Sequence, residues 1–551
     1  MADDINDKPT GHAYGVNRRD LLKLGAAALA GASFMGLTGR MAFAADKQVL
    51  MVAHPLFDQD WSPLRGGGTP FRWNSLWWAS AAYFDADNKM HPYVFASWSG
   101  SSDAKTWTFK LNPKAVFSDG SQITSADVKG SWEVAAMPLS KSQRVEQVLT
   151  GVVGFNDVKQ GNGSTISGIA TPDDATVVVT LEAPDPIFFE RIANHIVPIC
   201  KASQARGPDG NEIQDWFTPD KQAVYSGPFK LTSINIDQGV LIFEPNEKFF
   251  GPKPKLTRVE IHTVEDPVTA TALIKSGQYN AHSELTTSTI IQDLGEIFAE
   301  GPIIPTSQHF WFNKSRKPFD DPKVRQALIL AVDRDGLMKA SYPRGPHKKT
   351  DQILNSVPGA ENSGFTPYPF DPDKAKKLLA ESSYGGPERL PKIMMSGISG
   401  PAIEAAAQYI AEQWRQHLGI TAVDMKPQED SYSGPDQQSV QVFRNDVGTR
   451  APDAVAYLAG CIASTSSPAQ HEMGGYKNET VDQKLKDAAV KPVDDPDRVK
   501  LAQEAQIAFR DDYMFIPWYA QAMSRWATAA VKDIDKNLDW QVIAPWDVHI
   551  G

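Results

Sequence analysis

Apolar residues recur along this chain at two spacings. Helical spacing is clearest over residues 317–334, where Val324, Ala327, Leu328 and Ala331 share one face. Asp321 can accept a hydrogen bond from a free N–H of the first turn. Pro322 suits the first helical position, where its missing N–H would have no partner anyway. The pattern predicts a buried amphipathic helix over 322–334. Asp371-Pro372 and Asp495-Pro496 open two further helices in the same way, leading to Leu378-Leu379 and to Leu501 and Ala505. A longer helix covers 402–418 and stops at Gly419, a favourable C-terminal residue. Thr124-Ser125-Ala126-Asp127 is a capping box with Asp in place of the usual Glu, and Val128, Trp132 and Ala135 continue that helix.

Alternation with period two marks the strands. Trp107, Phe109 and Leu111 alternate through 106–111, the mark of a half-buried strand. Strands are also expected over 49–52, 176–181, 230–234 and 420–425, with turns at Asp119-Gly120 and Ser226-Gly227-Pro228. The second half alternates helix and strand, so the fold class expected is α/β.

Composition narrows the picture. A chain of 551 residues has room for about three domains of ~150 residues. Its 41% hydrophobic and 22% charged residues are those of a globular protein, and a net charge of −11 argues against general nucleic-acid binding. The first residues differ from the rest. Asn17-Arg18-Arg19-Asp20-Leu21-Leu22-Lys23 resembles a twin-arginine export signal. An Ala- and Gly-rich apolar stretch follows over 24–39, then Ala42-Phe43-Ala44, a small-x-small cleavage site. The apolar stretch is shorter than the ~20 residues of a membrane span. Residues 1–44 are therefore expected to be cleaved after Ala44. They contain no cysteine for lipid attachment, so a soluble protein of a Gram-negative periplasm is expected. Cys200 and Cys461 are the only cysteines, and both are expected to stay free.

Motifs across almost the whole remaining chain resemble the family 5 extracellular solute-binding proteins, the dipeptide, oligopeptide and nickel binders of ABC importers. The segments that carry the resemblance include Ala96-Ser97-Trp98, Trp107–Leu111, Phe117-Ser118-Asp119-Gly120, Gly227-Pro228-Phe229-Lys230-Leu231, the 317–334 helix, Phe370-Asp371-Pro372, Gly475-Tyr476 and Ile516-Pro517. The resemblance implies a two-lobed periplasmic binding protein, type II and cluster C-like, with an additional domain and two crossover hinge strands. Domain I would take 46–84, 221–306 and 518–551, domain II 85–220, and domain III 307–517. Binding would close the two lobes over a small solute for delivery to membrane permease subunits, with no cofactor and as a monomer. Twin-arginine export machinery is a further implied partner.

No G-x-S-x-G, H-E-x-x-H, Walker or C-x-x-C sequence occurs, and the eleven histidines are dispersed. A secreted hydrolase with a carboxylate pair is the alternative of another class. The family's peptide binders hold the peptide ammonium with an aspartate in an Asp-Tyr-Pro-Asp-Pro-like stretch. Here the corresponding stretch is Gly448-Thr449-Arg450-Ala451-Pro452-Asp453, which puts Arg450 at the anchor. A guanidinium repels an ammonium and pairs with carboxylate, phosphate or sulfate. The expected ligand is therefore anionic or sugar-containing, such as an opine or sugar phosphate. A short peptide or metal chelate is the alternative. Arg444 falls where some family members place an arginine on ligand carboxylates. The loop holding Trp61, Arg65, Gly67, Gly68, Arg72 and Trp73 is expected to border the cleft, with Arg side chains for an anion, Trp rings for stacking, and glycines for close backbone approach. Trp78, Trp518 and Tyr519 complete the expected ligand-facing set.

Overall fold

The computed structural model describes residues 48–551 apart from 56–60, 66–67, 86–88, 143–144, 194–196, 283–297, 300–302, 344–346, 358, 361–363, 397–399, 427–439, 449–452, 523–525 and 535–544. The first strand, Val49–His54, pairs in parallel with Arg258–Thr263 on one side and Ala281–His282 on the other. It is thereby central to a seven-stranded sheet ordered Phe298–Ala299, Trp526–Thr528, Ala281–His282, Val49–His54, Arg258–Thr263, Val240–Pro245, Phe229–Asn235. A four-stranded antiparallel sheet follows the order Phe95–Gly100, Thr106–Leu111, Thr176–Thr180, Ile169–Asp173. Leu50, Val52, Phe109, Trp132, Val177 and Leu241 belong to one continuous apolar core under both sheets.

The remaining sheet has six strands in the order Lys348–Lys349, Phe515–Ala522, Ile303–Phe312, Val442–Gly448, Ile393–Ser396, Val423–Met425. It carries a second core that includes Phe310, Ala327, Leu328, Trp414, Val442 and Trp518 and shares no residue with the first. The chain passes between the two twice. Ala299 is the last residue paired in the seven-stranded sheet before Ile303 opens a strand of the other, and Ala522 closes that sheet before Trp526 returns to the first. Two cores joined by two crossings make the two-lobed α/β fold. Trp518 and Tyr519 lie within the six-stranded sheet, not at the start of the first lobe's last segment, because the strand Phe515–Ala522 stays paired to its end.

Local chemistry explains the elements. Thr124 and Asp127 make both bonds of the capping box ahead of Ser125–Ala136. Asp321, Asp371 and Asp495 accept from Lys323 N, Lys374 N and Asp497 N, and each is followed by proline at the first helical position. The helix at 322 is shorter than its apolar pattern suggests. It spans Pro322–Leu330, and Asp333 caps a new helix, Arg334–Ser341, by accepting from Asp335 N. An aspartate that can bond forward to backbone competes with continued helix. Val324, Ala327, Leu328 and Ala331 are all buried. The strand expected over 420–425 shortens to Val423–Met425 after Gly419, whose φ of +74° ends the helix Pro401–Leu418 in a Schellman-like turn. Cys200 is buried in the first core and Cys461 in the second, and both are free.

Candidate functional site

Beside the two crossings, one face of the six-stranded sheet carries a polar layer. Register fixes it: Gln308 lies opposite Asp446 on one side and Tyr519 on the other, and Phe310 lies opposite Arg444. Residues opposite each other share a face, so Gln308, Arg444, Asp446 and Tyr519 form a contiguous patch. Tyr342, from just beyond the helix Arg334–Ser341, brings its hydroxyl to 3.3 Å from that of Tyr519. His347 stacks on the Tyr519 ring with centroids 4.5 Å apart and planes 16° from parallel. Gln308 Nε2 donates to Gln521 Oε1 at 3.0 Å.

The charged groups of this layer are the Arg444 guanidinium and the Asp446 carboxylate. Burial raises both phenols, while the Arg444 guanidinium pulls them back down. His347 Nδ1 accepts from Ala522 N at 3.1 Å, and burial pushes the ring down to about 4, so it is neutral near pH 7. Arg444 shares this face with two neutral phenols and with the Asp446 carboxylate, two residues along the same strand. Its Nε is enclosed without a hydrogen-bond partner, and it has no ion-pair partner among the described residues. A guanidinium Nε held this way can donate to a carboxylate, because an enclosed unpaired donor retains its full desolvation cost until something accepts from it.

The other expected residues divide. Arg450 and Gly67 lie outside the described residues, as do Arg18, Arg19 and Ala44. Arg65 closes a short 3₁₀ turn, and Gly68 and Arg72 lie in the helix Gly68–Trp77. Trp61 and Trp73 are buried in the first core. Trp78 needs correction: it is fully buried among Trp77, Trp216 and Tyr225 at 5.1–5.8 Å between centroids, which leaves no ring face for a ligand. Trp518 is corrected likewise, since it is enclosed by Phe310, Tyr342 and Tyr519 and donates Nε1–H to Ser341 Oγ at 3.1 Å. Their aromatic area stabilises the cores. Tyr519 remains in the polar layer by its hydroxyl.

A serine–histidine pair occurs on the opposite face of the sheet. Ser307 Oγ is 2.7 Å from His309 Nε2, with Tyr457 OH at 3.0 Å from the same oxygen. Both Ser307 and His309 are wholly buried, and burial depresses the imidazole to about 3. The pair is buried in the core, away from the surface, with His309 Nδ1 left without a hydrogen-bond partner.

Sequence reasoning missed a second charged group. Asp453 caps the helix Ala454–Ile462 by accepting from Ala456 N at 2.7 Å, and its carboxylate is held in a fork by Arg498, through Nε at 2.8 Å and Nη2 at 3.0 Å. Arg498 Nη1 donates to the carbonyls of Ala488, Ala489 and Lys491. No spacing in the sequence links positions 453 and 498.

Comparison with solved structures gives the fold its class. The unliganded open form of the periplasmic murein tripeptide-binding protein MppA superposes with a TM-score of 0.72 at 20% identity, covering 92% of this chain and 98% of that one. Two-lobed periplasmic binding proteins are thus the structural class. The sequence is more specific: residues 89–468 match the bacterial extracellular solute-binding proteins, family 5 middle region, and the chain belongs to that family of ABC-importer substrate-binding proteins. Glutathione-binding protein GsiB of Pectobacterium atrosepticum is 28% identical over 82% of this chain and 84% of the relative. The periplasmic oligopeptide-binding protein OppA of Salmonella typhimurium is 24% identical over 80% and 81%.

Proposed function

We propose that this protein captures a short peptide carrying a free carboxylate and delivers it to an ABC permease. Arg444 carries this reading: its Nε is enclosed in the polar layer beside the lobe junction without a hydrogen-bond partner. The names of the relatives, glutathione-binding and oligopeptide-binding, support a peptide over the opine or sugar phosphate expected from Arg450 alone. A glutathione-like peptide satisfies both indications, because it is a peptide with more than one carboxylate for cationic side chains. Ligand contacts both lobes only when they close, so binding shifts the population to the closed form that the permease accepts. Domain I comprises 46–84, the stretch from 221 to the crossing before Ile303, and the stretch from the crossing after Ala522 to 551, domain II 85–220, and domain III the chain between the two crossings. Residues 1–44 direct twin-arginine export, and the protein works in the periplasm as a monomer without catalysis.

The test is a thermal-shift and calorimetric screen of glutathione, di- and tripeptides, opines and sugar phosphates. Glutathione or a short peptide should stabilise saturably, by about 2.7 kcal/mol at a hundredfold excess over Kd, and be recovered unchanged by mass spectrometry. Arg444→Ala should weaken binding at least tenfold, since a charge-assisted hydrogen bond contributes about 1.5–3 kcal/mol. Binding of sugar phosphates with no response to any peptide would overturn the ligand class. Unchanged affinity in Arg444→Ala would overturn the anchor.

A further inference from the structure

Two opposite charges stand on the polar face of the six-stranded sheet without meeting. Arg444 and Asp446 are two residues apart on the strand Val442–Gly448, so their side chains leave the same face. Asn445 between them turns to the other face, where its Nδ2 donates to Glu472 Oε1 at 2.7 Å. Arg444 Nε is enclosed and unbonded. The Asp446 carboxylate is exposed and takes no hydrogen bond or ion pair among the described residues, Arg444 included. A third unused group lies alongside. Gln308 is directly opposite Asp446 across the ladder, which puts their Cβ atoms about 5 Å apart. It is 4% exposed, donates its amide N–H to Gln521 Oε1 at 3.0 Å, and keeps its own Oε1 enclosed with no donor. Tyr519, opposite Gln308 on its other side, feels both the guanidinium and the carboxylate. One face thus holds a free enclosed donor, a free enclosed acceptor and an anion open to solvent.

We propose that these three side chains read a single α-amino-acid head group, with its carboxylate at Arg444 and its ammonium at Asp446 and Gln308 Oε1. The inference rests on the peptide reading above and says which end of the peptide enters this layer. Chemistry assigns the partners. A guanidinium only donates, so it takes the carboxylate; an ammonium carries three donors and no acceptor, which suits a carboxylate and an amide oxygen. Spacing decides that both charges belong to one carbon. Arg444 and Asp446 are about 7 Å apart along the strand. Two charged hydrogen bonds of about 2.8 Å each, with one tetrahedral carbon between them, fill that span. The two ends of an extended α-linked tripeptide stand about 10 Å apart before any hydrogen bond is added, which is too far for this pair. A peptide presents ammonium and carboxylate on one carbon when its first residue is joined through the side chain, as in glutathione and other γ-glutamyl peptides. Ordinary α-linked peptides split the two charges between their ends.

Calorimetry on the purified protein tests this with glutathione and γ-glutamyl dipeptides, each against its α-linked isomer and its N-acetyl derivative, which lacks the ammonium. The γ-linked peptides should bind roughly tenfold or more tighter than either counterpart, the effect of a charge-assisted hydrogen bond. Asp446→Asn, which keeps the shape and removes the charge, should weaken the γ-linked peptides by a similar factor. It should leave the N-acetyl derivatives unchanged, because they bring no ammonium, and leave the thermal stability of the ligand-free protein at the parent value. Equal affinity for a γ-linked peptide and its N-acetyl derivative would overturn the head-group assignment. So would an Asp446→Asn protein that loses stability but keeps its affinity, since the carboxylate would then be structural. If α-linked and γ-linked peptides bind alike and Arg444→Ala weakens both, the head-group assignment fails and the peptide reading stands. If no peptide binds, both fail.

Discussion

Replacing Asp453 by Ala removes two things at once. It deletes the counter-charge of Arg498, a guanidinium only 2% exposed, and it deletes the cap on Ala454–Ile462. Breaking one partner of a buried ion pair costs about 3–5 kcal/mol, because the survivor keeps its desolvation penalty. Loss of an Asp cap adds about 1 kcal/mol. The sum is about 4–6 kcal/mol. Asp453→Asn separates the terms: it retains the acceptor for Ala456 N and loses the charge, so it should cost about 3–5 kcal/mol. Urea unfolding measures the total. Amide exchange locates it, with faster exchange expected in Ala454–Ile462 and Pro496–Arg510, the two helices joined by the pair. Pairing Asp453→Ala with Arg498→Met should recover part of the loss, since no buried charge is then stranded. An Asp453→Asn protein within about 1 kcal/mol of the parent would refute the reasoning, because Arg498 would then have been solvated or balanced all along.

Two further predictions concern packing. Trp78→Ala should cost about 3–5 kcal/mol in unfolding and leave the affinity of the folded protein for peptide within threefold, as befits a ring shut inside the first core. A large, selective loss of affinity would return Trp78 to the cleft. Gly227→Ala should destabilise by about 1–3 kcal/mol or more, measured by the same urea titration. A Cβ there would stand 2.5 Å from Trp77 C and 2.6 Å from Trp78 N, and backbone atoms cannot step aside as a flexible side chain can. A neutral substitution would mean that the approach of these segments is looser than it stands.

Helix starts were legible in the sequence because they are local contracts. Asp321, Asp371 and Asp495 each bond an N–H two or three residues away, so nothing distant is needed to read them. The stop at Leu330 was less legible. Asp333 there chooses between continuing a helix and capping the next one, and both choices look alike in an apolar pattern. Tryptophans misled for the opposite reason. Trp78 and Trp518 have the size and polar edge suited to a ligand, and only the packing of distant segments such as Trp216 and Tyr225 decides that they are enclosed.

The sequence alone determined the family, the helix and strand periods, and Arg444 as a candidate for a carboxylate. Each of these rests on residue type or on short spacing. Tertiary structure alone decided that Arg444 stands beside two neutral phenols with its Nε enclosed and unbonded, that Ser307 and His309 are buried in the core, and that Asp453 pairs with Arg498. Burial and the sharing of hydrogen-bond donors set the energy of a charged group, and both depend on residues hundreds of positions apart that only folding brings together.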